Sequence, residues 1–160
     1  MAAGPEAAPR TEVDAHDEVC RDVVLPVSPD EAWELVTDPA HLAHWFAPDV
    51  ELELHEGGRA AFRWADGHER RGVVEEVVPS ERLAFRWRTV DDGVDGLRPA
   101  ATRVLIELEP VPAGTRVIVR ERGFSGVAAS AQVSGCALVA RWAWELRLAT
   151  CLRLLVPVAV

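Results

Sequence analysis

Residues 130–155 read SAQVSGCALVARWAWELRLATCLRLL, a run without proline or strand-like alternation in which Gly135 alone weakens a helix. Leu138, Trp142, Leu146, Ala149 and Leu152 recur at three- and four-residue steps, and so do Ala140, Trp144, Leu148, Cys151 and Leu155. Both series fit a helix, and Arg141 and Glu145 form an i, i+4 pair on it. Two apolar stripes leave little polar circumference, as expected of a helix enclosed by other structure. Pro157 stops it. The fold therefore turns on what encloses this helix.

The enclosing element lies upstream, where the apolar period changes to two. Val50, Leu52 and Leu54 alternate with Glu51, Glu53 and His55, and Gly57-Gly58 supplies a hairpin turn. Ala60, Phe62 and Trp64 follow, then the Asp66-Gly67 turn and a strand from Glu69 to Val78 in which Gly72 suggests a bulge. Leu83, Phe85 and Trp87 alternate with Arg82, Arg86 and Arg88. Val104, Ile106 and Leu108 alternate with Arg103, Glu107 and Glu109, and Thr115 to Arg122 ends the series. Five or six successive strands, each with one apolar and one charged face, predict an antiparallel meander whose apolar face needs a cover.

Ahead of the meander, residues 19–25 read as a strand. Ser28-Pro29-Asp30-Glu31 then carries an N-cap, a proline in the first turn and the glutamate of a capping box. Thr37-Asp38-Pro39 ends that helix and caps a second short one to Trp45. Residues 1–17 have neither period nor apolar content and are expected to be a disordered tail. Residues 18–156 form the expected domain, followed by a short tail over 157–160.

Charge and composition exclude several functions. The chain carries −9 net charge with 17 basic residues, all of them arginine, alternating with carboxylates. An acidic chain is a poor match to nucleic acid, and no window of about 18 apolar residues suits a membrane span. The N-terminus lacks a signal-peptide core, so a cytoplasmic protein is expected. Cys20, Cys136 and Cys151 form no C-x-x-C pair and are expected as reduced, buried thiols. His41 and His44 stand at i, i+3 without a recognisable third ligand, so no metal and no cofactor is expected. His55 and His68 lie alone at turns. No G-x-S-x-G, H-E-x-x-H, phosphate-loop or dinucleotide motif occurs, and no catalytic residue is assigned.

Ser28-Pro29-Asp30-Glu31-Ala32-Trp33, Thr37-Asp38-Pro39-Ala40-His41-Leu42 and His44-Trp45-Phe46-Ala47-Pro48 together resemble the opening of the Hsp90-ATPase-activator-like branch of the START/SRPBCC superfamily. Gly57-Gly58, the run from Gly72 through Pro79-Ser80-Glu81-Arg82-Leu83 to Trp87, Gly114-Thr115-Arg116-Val117 and Trp144-Glu145 with Leu148 continue the likeness over about residues 19–155. The resemblance implies an α+β helix-grip (START-like) fold. A curved antiparallel sheet wraps a long C-terminal helix, with two short helices after the first strand. It also implies a family of small-molecule carriers, polyketide cyclases and co-chaperones. Residues 125–135 are smaller and less charged than that pattern leads one to expect.

Six tryptophans and four phenylalanines without a tyrosine are more aromatic surface than a flat helix-on-sheet contact needs. Trp33, Trp45, Phe46, Phe62, Trp64, Phe85, Trp87, Leu138, Trp142 and Leu146 are the candidate lining of a ligand cavity. Arg63, Glu69, Arg71 and Arg120 are its candidate polar anchors, unless they stand outside with Arg86 and Arg88 as a cross-strand ladder of ion pairs. The expected partner is a small apolar or aromatic molecule. A cyclase- or dehydratase-type enzyme and a co-chaperone-like module are the alternatives. The apolar end, residues 154–160, either forms a contact surface such as a homodimer's or packs back on its own domain.

Overall fold

The computed structural model describes residues 18–90, 101–123 and 130–155. The two terminal tails, like the segment 125–129, lie outside them. Strand β1 (Glu18–Leu25) leads into helices α1 (Pro29–Thr37) and α2 (Pro39–Trp45). Strands β2 (Asp49–Leu52), β3 (Arg59–Arg63), β4 (Glu69–Val78), β5 (Arg82–Thr89), β6 (Thr102–Val111) and β7 (Gly114–Arg122) follow, and α3 (Ser130–Leu155) closes the chain. The seven strands form one antiparallel sheet in the order β1-β7-β6-β5-β4-β3-β2. The meander is as read from the alternation, with β1 added beside β7.

The local signals act as expected. The Ser28 hydroxyl accepts the Glu31 amide, and the Glu31 carboxylate accepts the Ser28 amide, which completes the capping box. Asp38 accepts the Ala40 amide at the head of α2. Trp45 donates its indole N–H to the Leu35 carbonyl at 2.9 Å, fastening α2 to α1. The bulge expected at Gly72 falls instead between Val74 and Glu76. Gly72 has another cause: it sits opposite Trp87, and a β-carbon there would collide with the Arg86 carbonyl.

The outer face of the sheet is the ladder of ion pairs. Glu75 joins Arg86 and, at 2.8 Å, Arg103. Arg120 meets Glu107 and Glu18, Arg122 meets Glu18 at 2.8 Å, and Arg63 meets Asp49 at 3.0 Å. Such exposed pairs contribute at most about 1 kcal/mol each. The inner face buries Val19, Leu25, Phe62, Val74, Leu83, Phe85, Trp87, Val104, Ile106, Val117 and Val119 against α1, α2 and α3.

The close approach of β4 and β5 makes a testable contrast. Gly72→Val should lower stability by at least about 3 kcal/mol, because backbone must move to admit the side chain. Gly67→Ala, in a turn at φ +90° with open space around it, should cost only about 1–2 kcal/mol from backbone strain. Urea unfolding of both variants decides it. Equal losses would show that the β4–β5 approach is soft.

Candidate functional site

Glu121 organises the interior. Strand alternation puts it on the same face as Val117 and Val119, and it is 1% exposed. A buried carboxylate is costly unless donors surround it, and here they do. Its Oε1 accepts from the Trp87 indole at 2.9 Å and from the Thr102 hydroxyl at 2.7 Å. The Trp87 N–H is shared with Thr102 Oγ1 at 3.0 Å. Oε2 accepts from the Trp144 indole at 2.7 Å, which ties α3 to the sheet. The Arg70 guanidinium stands 3.6 Å from Oε1.

Two guanidiniums reach the ring cluster around this carboxylate. Arg70 pairs with Phe62 and Thr89 in register, shares the inner face with them and lies over the Trp87 ring at 4.3 Å. Burial pulls its pKa down, against the opposing pull of Glu121. Arg147 reaches in from α3 and lies 4.7 Å from the Phe46 ring centre, 5.2 Å from Trp144 and 5.3 Å from Trp64. Burial and the neighbouring Arg70 charge lower its pKa to about 10, with Glu121 acting the other way. It is still a cation at neutral pH. Among the described residues the interior thus holds two positive groups and one negative.

The rings around these groups pack on one another. Phe46 lies 5.8 Å from Trp87, 5.3 Å from Trp144 and 5.0 Å from Phe62, while Trp87 and Trp144 stack at 6.0 Å. The space enclosed by α1, α2 and the sheet, bordered by Val36, Trp45, Phe62 and Ile106, is only about 10 Å³, the threshold for one water. A cleft of about 220 Å³ runs between Trp64, Asp66, His68, Glu69, Arg70 and Arg147. Trp64 is held there by its N–H on the Phe46 carbonyl at 3.1 Å.

The two acids on the rim are already engaged. The His68 amide, donating at 3.0 Å, is the main reason the Asp66 carboxyl lies below its usual range, and the His68 ring sits 2.8 Å away. A 2.7 Å hydrogen bond from Arg71 does the same for Glu69, which also meets Arg63 at 3.2 Å.

Several expected site residues stand elsewhere. Trp142 is 74% exposed and Leu146 59% exposed, so neither lines the interior. Two stripes on one helix leave its rotation undetermined, and the buried stripe is the one carrying Trp144, Leu148 and Cys151. The side chain of Leu138 lies outside the described residues. Arg63, Arg71 and Arg120 are outer-face members of the ion-pair ladder rather than inward anchors, and Glu69 reaches only the rim. Trp45, Phe46, Phe62, Phe85 and Trp87 are buried, with Trp33 and Trp64 partly so. Cys151 is buried and its thiol is pushed up to about 11, whereas Cys20 is exposed, contrary to expectation. Among the described residues no cluster of metal-binding side chains occurs, and no helix is long and apolar enough to cross a membrane.

The sequence reading missed Glu121, Arg70, Trp144 and Arg147. A signal was present for the first. Glu121 is in phase with Val117 and Val119, and a carboxylate in phase with the apolar face of a strand is a buried-charge candidate.

These placements order three substitutions. Trp142→Ala should change stability by no more than about 0.5 kcal/mol, as for an exposed position. Trp144→Ala should cost about 3–5 kcal/mol, and Glu121→Gln a similar amount because Arg70 and Arg147 lose their counter-charge. Denaturant melts give the ranking. A Trp142 loss matching that of Trp144 would mean that the helix is rotated.

Comparison with known proteins agrees with this architecture. Among solved structures, DynU16, described as a protein of the dynemicin biosynthetic locus, is 26% identical with a TM-score of 0.70. The match covers 86% of this chain and 46% of that one, so this chain spans under half of its length. Protein CV1439 from Chromobacterium violaceum is 25% identical with a TM-score of 0.68, over 88% of this chain and 98% of its own. MLL2253 from Mesorhizobium loti, 18% identical with a TM-score of 0.74 over 89% and 99%, shows the shared fold alone. No curated protein matches the chain. The family model described as "Activator of Hsp90 ATPase homolog 1-like protein" matches residues 26–148. That span takes in α1, α2, strands β2 to β7 and most of α3, and the chain belongs to this family, within the START/SRPBCC superfamily.

Proposed function

We propose that the protein is a cytoplasmic small-molecule-binding domain that takes an aromatic or largely apolar ligand at the mouth of the grip, against Trp64 and the ring cluster behind it. The observation that supports this most is the cleft of about 220 Å³ whose wall combines an indole face with two guanidiniums. Ligand sites pair an apolar wall with a few placed polar groups in this manner. The cleft is below the usual range of about 300–1,000 Å³, so the ligand is small or displaces a side chain to enter. The likeness to a protein of a biosynthetic locus also favours a small molecule over a macromolecule.

A cyclase- or dehydratase-type reaction would need a proton donor beside the ligand. Glu121 is turned to donors on both oxygens and serves as an acceptor. The preferred reading is binding, since the described residues of the cleft offer His68 alone as an imidazole and its ring is turned to Asp66.

Native mass spectrometry of the protein isolated from its own host should reveal a small-molecule adduct that denaturation releases. Trp64→Ala should weaken binding of the neutral dye N-phenylnaphthylamine about tenfold. Absence of any adduct together with no dye binding by the wild type would overturn the proposal.

A second reading has an observation of its own. Trp142, Leu146 and Leu154 are exposed on the outer side of α3. A face of this kind suits contact with a second copy, since a two-fold pair needs only one self-complementary patch. Sedimentation at rising concentration should then show a dimer that Trp142→Ala disrupts. A monomer throughout removes this reading.

A further inference from the structure

The charge of the interior goes beyond the reading of an apolar ligand. Glu121 is already engaged by other groups. Trp87, Thr102 and Trp144 occupy its oxygens, and Arg70 faces the remaining side at 3.6 Å. Arg147 is different. Among the described residues it makes no hydrogen bond and no close ion pair. Its neighbours are three rings and the like charge of Arg70, whose effect on it exceeds the opposing pull of Glu121. A guanidinium has five N–H donors, and ring faces satisfy none of them as an acceptor oxygen would. A cation held among rings beside another cation is costly, and an anion seated on it relieves that cost. The rim carboxylates do not supply the anion. Asp66 is engaged by His68, and Glu69 by Arg71 and Arg63.

We infer that the ligand of this cleft is an aromatic anion, a carboxylate, sulfonate or phenolate, whose charged group seats on Arg147 while its ring lies against Trp64. This rests on the ligand-binding reading above and narrows it. The guanidinium and the indole are neighbours at 5.3 Å, so one planar molecule with an acidic substituent reaches both. Planar bidentate recognition of an oxyanion is what a guanidinium does better than an ammonium.

Two dyes with one skeleton separate the two readings. Anilinonaphthalene sulfonate is an anion, and N-phenylnaphthylamine is the same ring system without the sulfonate. The folded full-length protein should bind the sulfonate at least about tenfold more tightly, the contribution of one good charge-assisted contact. Rising salt should weaken the sulfonate and leave the neutral dye unchanged. Arg147→Gln should abolish the preference by weakening the sulfonate at least about tenfold more than the neutral dye, and Arg147→Lys should restore it only in part. Equal wild-type affinities without salt dependence would overturn the anion inference while the ligand-binding reading stands. So would an equal loss of both dyes in a folded Arg147→Gln. Failure of both dyes to bind the wild type would remove both readings. Should Arg147→Gln not fold, the wild-type comparison and its salt dependence decide alone.

Discussion

One carboxylate without access to water determines how the sheet and the long helix meet. Glu121 can remain buried only if donors come to it, and one of those donors is the Trp144 indole on α3. That bond sets the rotation of the helix about its own axis. Two residues away, about 200° round the helix, Trp142 is necessarily turned outward. Leu148 and Cys151 follow Trp144 into the interior, and Arg147, on the flank of the same stripe, arrives over Phe46 and Trp64. A hydrophobic contact alone would tolerate some rotation of α3. A hydrogen bond to a buried charge does not.

The aromatic side chains pack on one another around Phe46. Phe46 lies within 6.1 Å of Trp45, Phe62, Trp64, Trp87 and Trp144. Rings are suited to this position because their faces accept cations as well as apolar neighbours. They hold Arg70 and Arg147 close to a low-dielectric core at tolerable cost while one carboxylate offsets part of the charge. The cleft of about 220 Å³ beside them is lined by Trp64, Arg70 and Arg147.

The fold was legible in the residues because it rests on repeated local signals. The capping box at Ser28 and Glu31, the Gly57 and Gly67 turns and the period-two runs are each short-range features, and each produced its element. The site was only partly legible. Phe46, Phe62, Trp64 and Trp87 were recognised as a group, but alternation alone left the face of the strand arginines open between an outer ladder and inward anchors. Arg63 and Arg120 stand beside apolar neighbours and lie outside with Arg71, whereas Arg70 shares the parity of Gly72, a residue with no side chain to mark its face. On α3 the ambiguity was rotational, since both stripes are apolar and the residue that chooses between them lies on another strand. Pairing at that distance leaves no periodic trace in the chain.

The first strand to be made finds its partner last. β1 bonds only to β7 within the sheet, so the Glu18–Arg122 pair joins residues 104 positions apart. While the chain is being synthesised, β1 has no strand to pair with until the whole meander has emerged. The entropy of closing so long a loop precedes any gain from the pairing. The hairpins from β2 to β7 join neighbours in sequence and can assemble in order. Of all the strands in the sheet, β1 therefore depends most on the chain being complete. A nascent or truncated chain ending before residue 114 would expose it as an unprotected edge, a template for pairing with other chains.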